Sequence, residues 1–154
     1  MFYTQVRIQP QSMKTRIANA LVATISELNF LRSVEFDKVR LYSSDFNEME
    51  LPAVQMIDVE ETVVHERLRA RRTWLISLEC IAKSTENGYI SQRDMWDYEY
   101  QISRKIWAEP QLGVKGVIQA SYLSNSTDLH LIEPFYLLKM DFQVEYYENL
   151  VGEC

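Results

Sequence analysis

The stretch Tyr136–Tyr147, YLLKMDFQVEYY, decides the fold class. Tyr136, Leu138, Met140, Phe142, Val144 and Tyr146 alternate with Leu137, Lys139, Asp141, Gln143, Glu145 and Tyr147, and a side-chain period of two marks a strand with one buried face. A second run, RRTWLISLECIAKS from Arg71 to Ser84, has the same period. It sets Trp74, Ile76, Leu78 and Cys80 against Thr73, Ser77 and Glu79, with Leu75 and Ile81 as apolar exceptions on the second face. Apolar content on both sides predicts a central strand. The run before it, AVQMIDVEETVV from Ala53, begins the sheet, and VIQASYLSN from Val117 adds a strand that ends in a Ser/Asn/Thr/Asp loop. A short strand is also expected at Lys38–Ser43, KVRLYS, followed by a polar loop ending at Pro52.

Two segments have the helical period instead. Behind Ser12, a residue suited to an N-cap, Ile17, Ala20, Leu21, Thr24, Ile25, Leu28 and Leu31 recur at three- and four-residue spacings. After a turn at STENG, Ser91 and Asp94 have the spacing of a capping box. Met95, Tyr98, Ile102, Ile106 and Trp107 then form the expected buried stripe, and Pro110 ends the helix. The order α-(β)-β-β-α-β-β predicts an α+β protein: a single domain over residues 1–154, with a four- to five-stranded, mostly antiparallel or mixed sheet packed against two helices on one face.

A chain of 154 residues is the length of one domain and buries roughly 68–70% of the surface that its unfolded form exposes. Its formal net charge of −6 argues against bulk attraction to nucleic acid or an anionic membrane, so no membrane partner and no sequence-specific nucleic-acid binding are expected. Cys80 lies in an apolar run and Cys154 is the last residue. Both read as free thiols in a reducing compartment. No apolar run approaches about 18 residues and no secretory h-region opens the chain, which makes a cytoplasm the expected place of synthesis and use.

Catalytic patterns are missing from the sequence. His65 and His130 have no HExxH, CxxC or GxSxG context and read as loop or surface residues. Asp58, Glu60 and Glu79 resemble the carboxylates of a metal-dependent nuclease, but the expected acid-x-lysine step is absent, since Lys83 lies four residues past Glu79. Four glycines make no phosphate-binding loop, and the GVKG turn is too sparse to imitate one. No cofactor is expected. The aromatics Trp74, Trp96, Trp107, Tyr136, Phe142 and Tyr146 fall on the buried phase of their elements and read as core.

The remaining feature is Val63–Trp74, VVHERLRARRTW, with four arginines in an acidic chain. If it is extended, Arg67, Arg69 and Arg71 project to one face, and Leu68, Ala70, Arg72 and Trp74 to the other. A hairpin turning near His65–Arg67 would set Asp58, Glu60 and Glu61 roughly opposite Arg71, Arg72 and Trp74, which balances charge within the hairpin. The turn lacks Asn-Gly or Asp-Gly chemistry, so a wide, mobile tip is expected. Arginine favours protein interfaces, and Arg67, Arg69, Arg71 and Arg72 with Glu60 and Glu61 are the expected assembly contacts.

Taken together, the phrases MKTRIANALVATISEL, LPAVQMIDVEET, WLISLECIAKS, ISRKIWAEPQL and LLKMDFQVEYYEN, in this order over nearly the full length, resemble the tail terminator (tail completion) proteins of long-tailed bacteriophages. The resemblance implies a small α/β domain, a sheet packed against two helices. In that family six copies form a ring that caps the tail tube, stops its growth and offers a surface to the head connector. It implies a non-enzymatic virion protein of the tail or neck, assembled in the bacterial host cytoplasm. Its partners would be its own copies, the tail tube protein and the head-tail connector protein. The family contributes no catalytic residues, and the neighbouring neck and tail-completion families share this pattern.

Overall fold

The computed structural model describes residues 11–37, 39–40, 46–83, 92–132 and 135–149, leaving aside the side chains of 48 and 129–132. Among these residues the order is α1 (Met13–Ser26), β1 (Ser33–Glu35), β2 (Ala53–Glu66), β3 (Arg69–Lys83), α2 (Gln92–Ala108), β4 (Val117–Ile132) and β5 (Phe135–Asn149). The strands form one mixed sheet in the order β1-β2-β3-β5-β4, with β1 parallel to β2 and the other pairs antiparallel. This is the expected α+β architecture, and β3 is central as its two-sided apolar content predicts.

Both helices lie on the face carrying Trp74, Ile76, Leu78, Cys80, Leu138, Met140, Phe142 and Val144. α1 contributes Met13, Ile17, Leu21 and Ile25, one residue per turn, and α2 contributes Met95, Ile102 and Ile106. Ser12 caps α1, its hydroxyl accepting from the Thr15 amide at 3.1 Å. The helix stops at Ser26, short of Leu28 and Leu31, because the chain tightens: the amides of Glu27 and Leu28 bond to the carbonyls of Thr24 and Ile25, three residues back. Leu28 and Leu31 still pack against the core from the following turns. Pro110 lies two residues past the end of α2, as expected. Beyond it the chain turns through Gly116, at φ +99°, where an added Cβ would meet Met13 Cε at 3.1 Å and the Tyr147 carbonyl oxygen at 3.2 Å. Glycine there lets the backbone approach β5 closely.

On the opposite face Ile81 and Ala53 pack with Phe46 and Leu51, which explains Ile81, one of the two apolar exceptions in the alternation of β3. Gln55 fastens that side. Its amide nitrogen donates to Glu79 at 2.8 Å and to the Arg40 carbonyl at 3.2 Å, and its oxygen accepts from the Arg40 amide at 3.0 Å.

Three expectations are corrected. The short strand is Ser33–Glu35, upstream of the expected Lys38–Ser43; Val39 and Arg40 are not in a strand, and the rest of that segment lies outside the described residues. The Ser/Asn/Thr/Asp segment after Asn125 is not a loop, since β4 continues through it paired with β5, Ser126 opposite Lys139 and Thr127 opposite Leu138. Polar residues suit a strand here because Ser126 and Thr127 are exposed and Asp128 is only half-buried. Trp96 and Trp107 are not core: they are 61% and 74% exposed. Each follows a buried residue, Met95 or Ile106, and one step of about 100° carries it off the buried stripe. The Ser91 cap, the STENG turn and Cys154 lie outside the described residues.

Candidate functional site

The β2–β3 hairpin is tighter than its sequence predicts. Pairing runs to Glu66 opposite Arg69, leaving only Arg67 and Leu68 in the turn. Arg67 takes φ +36° at the first turn position, a conformation that short hairpins usually give to glycine. The wide tip is therefore replaced by a two-residue turn. Arg67 does not share the strand face of Arg69 and Arg71 but sits at the apex. β5 extends alongside, with Arg69 opposite Asn149 and Arg71 opposite Tyr147, so the arm is three strands wide.

A bulge between Asp58 and Glu60 controls what the arm presents. Without it, Asp58 and Glu61, three residues apart, would point to opposite faces; the extra residue brings both to the helix side. There Lys14 of α1 lies 3.4 Å from Asp58 and 3.6 Å from Glu61, and 4.8 Å from the centre of the Trp74 ring. Trp74 Nε1 donates to Asp58 at 2.8 Å, and the Tyr146 hydroxyl donates to Glu61 at 2.7 Å. Arg72 also donates to Glu61 and lies 3.4 Å from Glu148. The hydrogen bond to Glu61 is the first cause holding the Arg72 guanidinium above its ordinary pKa. Burial is the first cause pushing the Tyr146 hydroxyl up, and its bond to Glu61 adds to this.

The six residues singled out thus divide. Glu61, whose side chain is 11% exposed, and Arg72 are joined within the chain and anchor the arm to α1 and β5. Arg69 turns back on its own arm, donating to Glu66 at 3.0 Å and stacking 3.9 Å from the centre of the Tyr147 ring. Arg67, Arg71 and Glu60 are exposed. Val59, Val63, Val64 and Leu68 are exposed beside them.

Sequence reasoning missed a second surface on the far edge of the sheet. Trp96, Tyr100, Ser103 and Trp107 recur at helical spacing along the outer side of α2. Trp107 and Ser103 line an open groove of about 530 Å³ with Glu99, Arg104, Tyr122 and Leu123, the last two from β4. The Tyr122 hydroxyl donates to Glu99 at 2.7 Å and accepts from Asn125 at 2.7 Å, fixing the floor. The available signal was a second, weaker aromatic stripe one residue out of phase with the buried one.

Among the described residues, the candidate catalytic groups are not brought together. Asp58 lies on the helix face of β2 and Glu79, bonded to Gln55, on the opposite face, so the two carboxylates are not brought together. Among the described residues no group of three or more His, Cys, Asp or Glu is placed to hold a metal ion. His65 is exposed, and the side chain of His130 lies outside those described. Cys80 is a buried free thiol whose pKa burial pushes up to about 12, which leaves it un-ionised and unreactive near neutrality. No described helix is long and apolar enough to cross a membrane.

No protein-family model matches the chain, and no curated protein matches it. Among solved structures, it is similar to a chain from the virion of a native gene transfer agent particle, with a TM-score of 0.51 and 10% sequence identity over 87% of this chain and 91% of that chain. At that identity the likeness is one of fold.

Proposed function

We propose that this chain is a non-catalytic structural protein of a phage-type virion. Within that class we assign it to tail termination: residues 1–154 act as one tail-terminator-like domain, six copies of which form a ring on the end of the tail tube. The ring ends tube polymerisation and offers its other face to the head. Its partners are further copies of itself, the tail tube protein and the head-tail connector protein. It resides in the tail or neck of the virion after assembly in the host cytoplasm.

The observation that carries this reading is the near-complete overlap with a virion chain, 87% of one and 91% of the other. The order of elements and the phrases that resemble the tail terminators support it. So does the placement of exposed apolar residues. The arm on β2 and β3 and the groove on α2 and β4 lie toward opposite edges of one sheet, as a head-to-tail ring requires, because each subunit must present two different surfaces. Arg67, Arg69, Arg71 and Glu60 form the contacting part of the arm, and Arg72 with Glu61 keeps it in position.

Tails assembled without the protein test the assignment. Overlong tubes lacking heads, restored to normal length and head joining by adding the purified protein, are the expected result. Tubes of normal length that merely lack heads would place the protein at another neck position.

A further inference from the structure

We infer that residues 1–10 of one copy add as a strand to the outer edge of β2 in the next copy. This rests on the ring reading above and names the contact that would close the ring. β1 covers the outer edge of β2 only at residues 53–55. Among the described residues no other strand lies on that side, so positions 56–66 present a bare edge. Over positions 60–66 the pairing with β3 runs without a register shift, and this stretch includes Thr62, Val63 and Val64 and neither proline nor lysine. Residues 58–60 and 62–65 are exposed. A long, regular edge of this kind is a template for an added extended segment. The other edge of the sheet is different. Pairing of β4 with β5 is interrupted at Val117/Gln119, Tyr122/Ser124 and Asp128/Ile132, and such irregularities blunt an edge against further pairing.

Length, pattern and charge select the occupant. Residues 1–10, MFYTQVRIQP, lie outside the described residues, but their sequence alternates Phe2, Thr4, Val6 and Ile8 with Tyr3, Gln5, Arg7 and Gln9, a period of two rich in β-branched and aromatic residues. They lead into α1 beside the arm. Lys14 lies 3.4 Å from Asp58 and 3.6 Å from Glu61, and Met13 borders Gly116 together with Tyr147, which is level, through Arg71, with Val64. Beyond Val64 the chain's own β2 continues only to Glu66, whereas ten extended residues span about 33 Å, roughly the length of positions 56–66. A segment of that length outruns its own edge and covers a neighbour's. With Arg7 on the face of Glu60, Val6 and Ile8 fall on the other face, beside Val63. Glu60 is exposed and makes no bond among the described residues, and the segment holds one arginine and no acid. Pairing of β2 with a second β2 is the weaker alternative. It would set Asp58, Glu60, Glu61 and Glu66 against their like across a two-fold contact, with no lysine or arginine on the strand to offset them. Segment and edge differ from one another, so their contact is directional, as a closed ring requires.

Photo-cross-linking of the full chain tests this. In a Cys154→Ser background, Thr4→Cys is labelled with a benzophenone maleimide, the buried Cys80 being shielded from the reagent. Isotopically light and heavy copies are mixed and irradiated at high concentration, alone and on tail tubes, and the linked peptides are located by mass spectrometry. Links between a light and a heavy copy, running from position 4 to positions 56–66, are the expected result. Of two successive residues in a strand, one turns its N–H toward the ladder and the other away. One of Gln5→Pro and Val6→Pro should therefore reduce these links at least roughly tenfold and the other much less, with unchanged circular dichroism spectra. Links confined to single copies would mean that the segment folds onto its own β2 and would overturn the proposal. Links to any other part of the chain or to the tube protein, or equal effects of the two prolines, would overturn it as well. If rings are visible by electron microscopy while no link to β2 forms between copies, this docking fails and the ring reading stands. Links between copies at β2 in assemblies that do not close at six would keep the docking and remove the ring.

Discussion

Replacing Arg72 with Ala should destabilise the fold while the same change at Arg71, one residue away, should not. The Arg72 side chain is 26% exposed and donates to Glu61, which is 11% exposed, so the bond is sheltered but not fully desolvated. A hydrogen bond to a charged group is worth about 1.5–3 kcal/mol. Partial exposure of the arginine screens its charge and moves the expectation toward the lower half of that range. Glu61 is also not abandoned by the change, because the Tyr146 hydroxyl at 2.7 Å and Lys14 at 3.6 Å remain. This keeps the cost below the roughly 3–5 kcal/mol of breaking a buried pair outright. The expected loss for Arg72→Ala is about 2 kcal/mol. For a domain of this length each kcal/mol moves Tm by about 2–4 °C, so Tm should fall by roughly 4–8 °C. Arg71 is exposed on the opposite face, and Arg71→Ala should stay within about 0.5 kcal/mol. Thermal melts followed by circular dichroism, with urea titrations to separate ΔG from m, measure both. Equal losses for the two variants, or none for Arg72→Ala, would refute the division between anchoring and presented arginines.

Ile102 is fully buried against the sheet, and Ile102→Ala should cost about 2–5 kcal/mol by urea denaturation. Gly116→Ala should be destabilising by at least about 1 kcal/mol, since φ is +99° and the added Cβ meets the Tyr147 carbonyl; a neutral effect would contradict the close approach there. Stability should also fall at alkaline pH. Burial raises Cys80 from 9.0 to about 12 and Tyr136 from 10.0 to about 12, and it raises Tyr122 and Tyr146 too. Groups whose pKa is raised on folding favour the fold while protonated, so their contribution is complete below their unfolded values and is lost as pH rises through the folded ones. The loss should begin near pH 9 and deepen toward pH 12 in denaturation midpoints measured across that range. The variant Cys80→Ala should delay its onset.

Alternation made the two central strands legible, because β3 from Trp74 onward and β5 bury the residues of one face almost completely. Helical spacing likewise identified Ile17, Leu21, Ile25, Ile102 and Ile106. What escaped the sequence was local or collective. The two-residue turn at Arg67–Leu68 is imposed by pairing on both sides of β3, which overrides the turn preference of arginine. The bulge after Asp58 reverses the face of everything beyond it, so a strict period of two misassigns the partners of Glu60 and Glu61. β1 is only three residues long and is held by its neighbour, β2, more than by its own pattern. The candidate site was half visible: the arginines stood out as a charge run, while Trp96 and Trp107 were absorbed into the core. A wide aromatic belt on a helix does not reveal which of its edges is covered, and only the packing of α2 on the sheet separates Ile106 from Trp107.

In the proposed function, copies of this chain close a ring on the end of a tail tube. Electron microscopy of the purified protein mixed with purified tail tubes tests it most directly. A six-fold ring is expected at one end of each tube, absent from tubes alone, with further tube growth blocked at that end. Bare tube ends that continue to elongate with the protein in excess would contradict it.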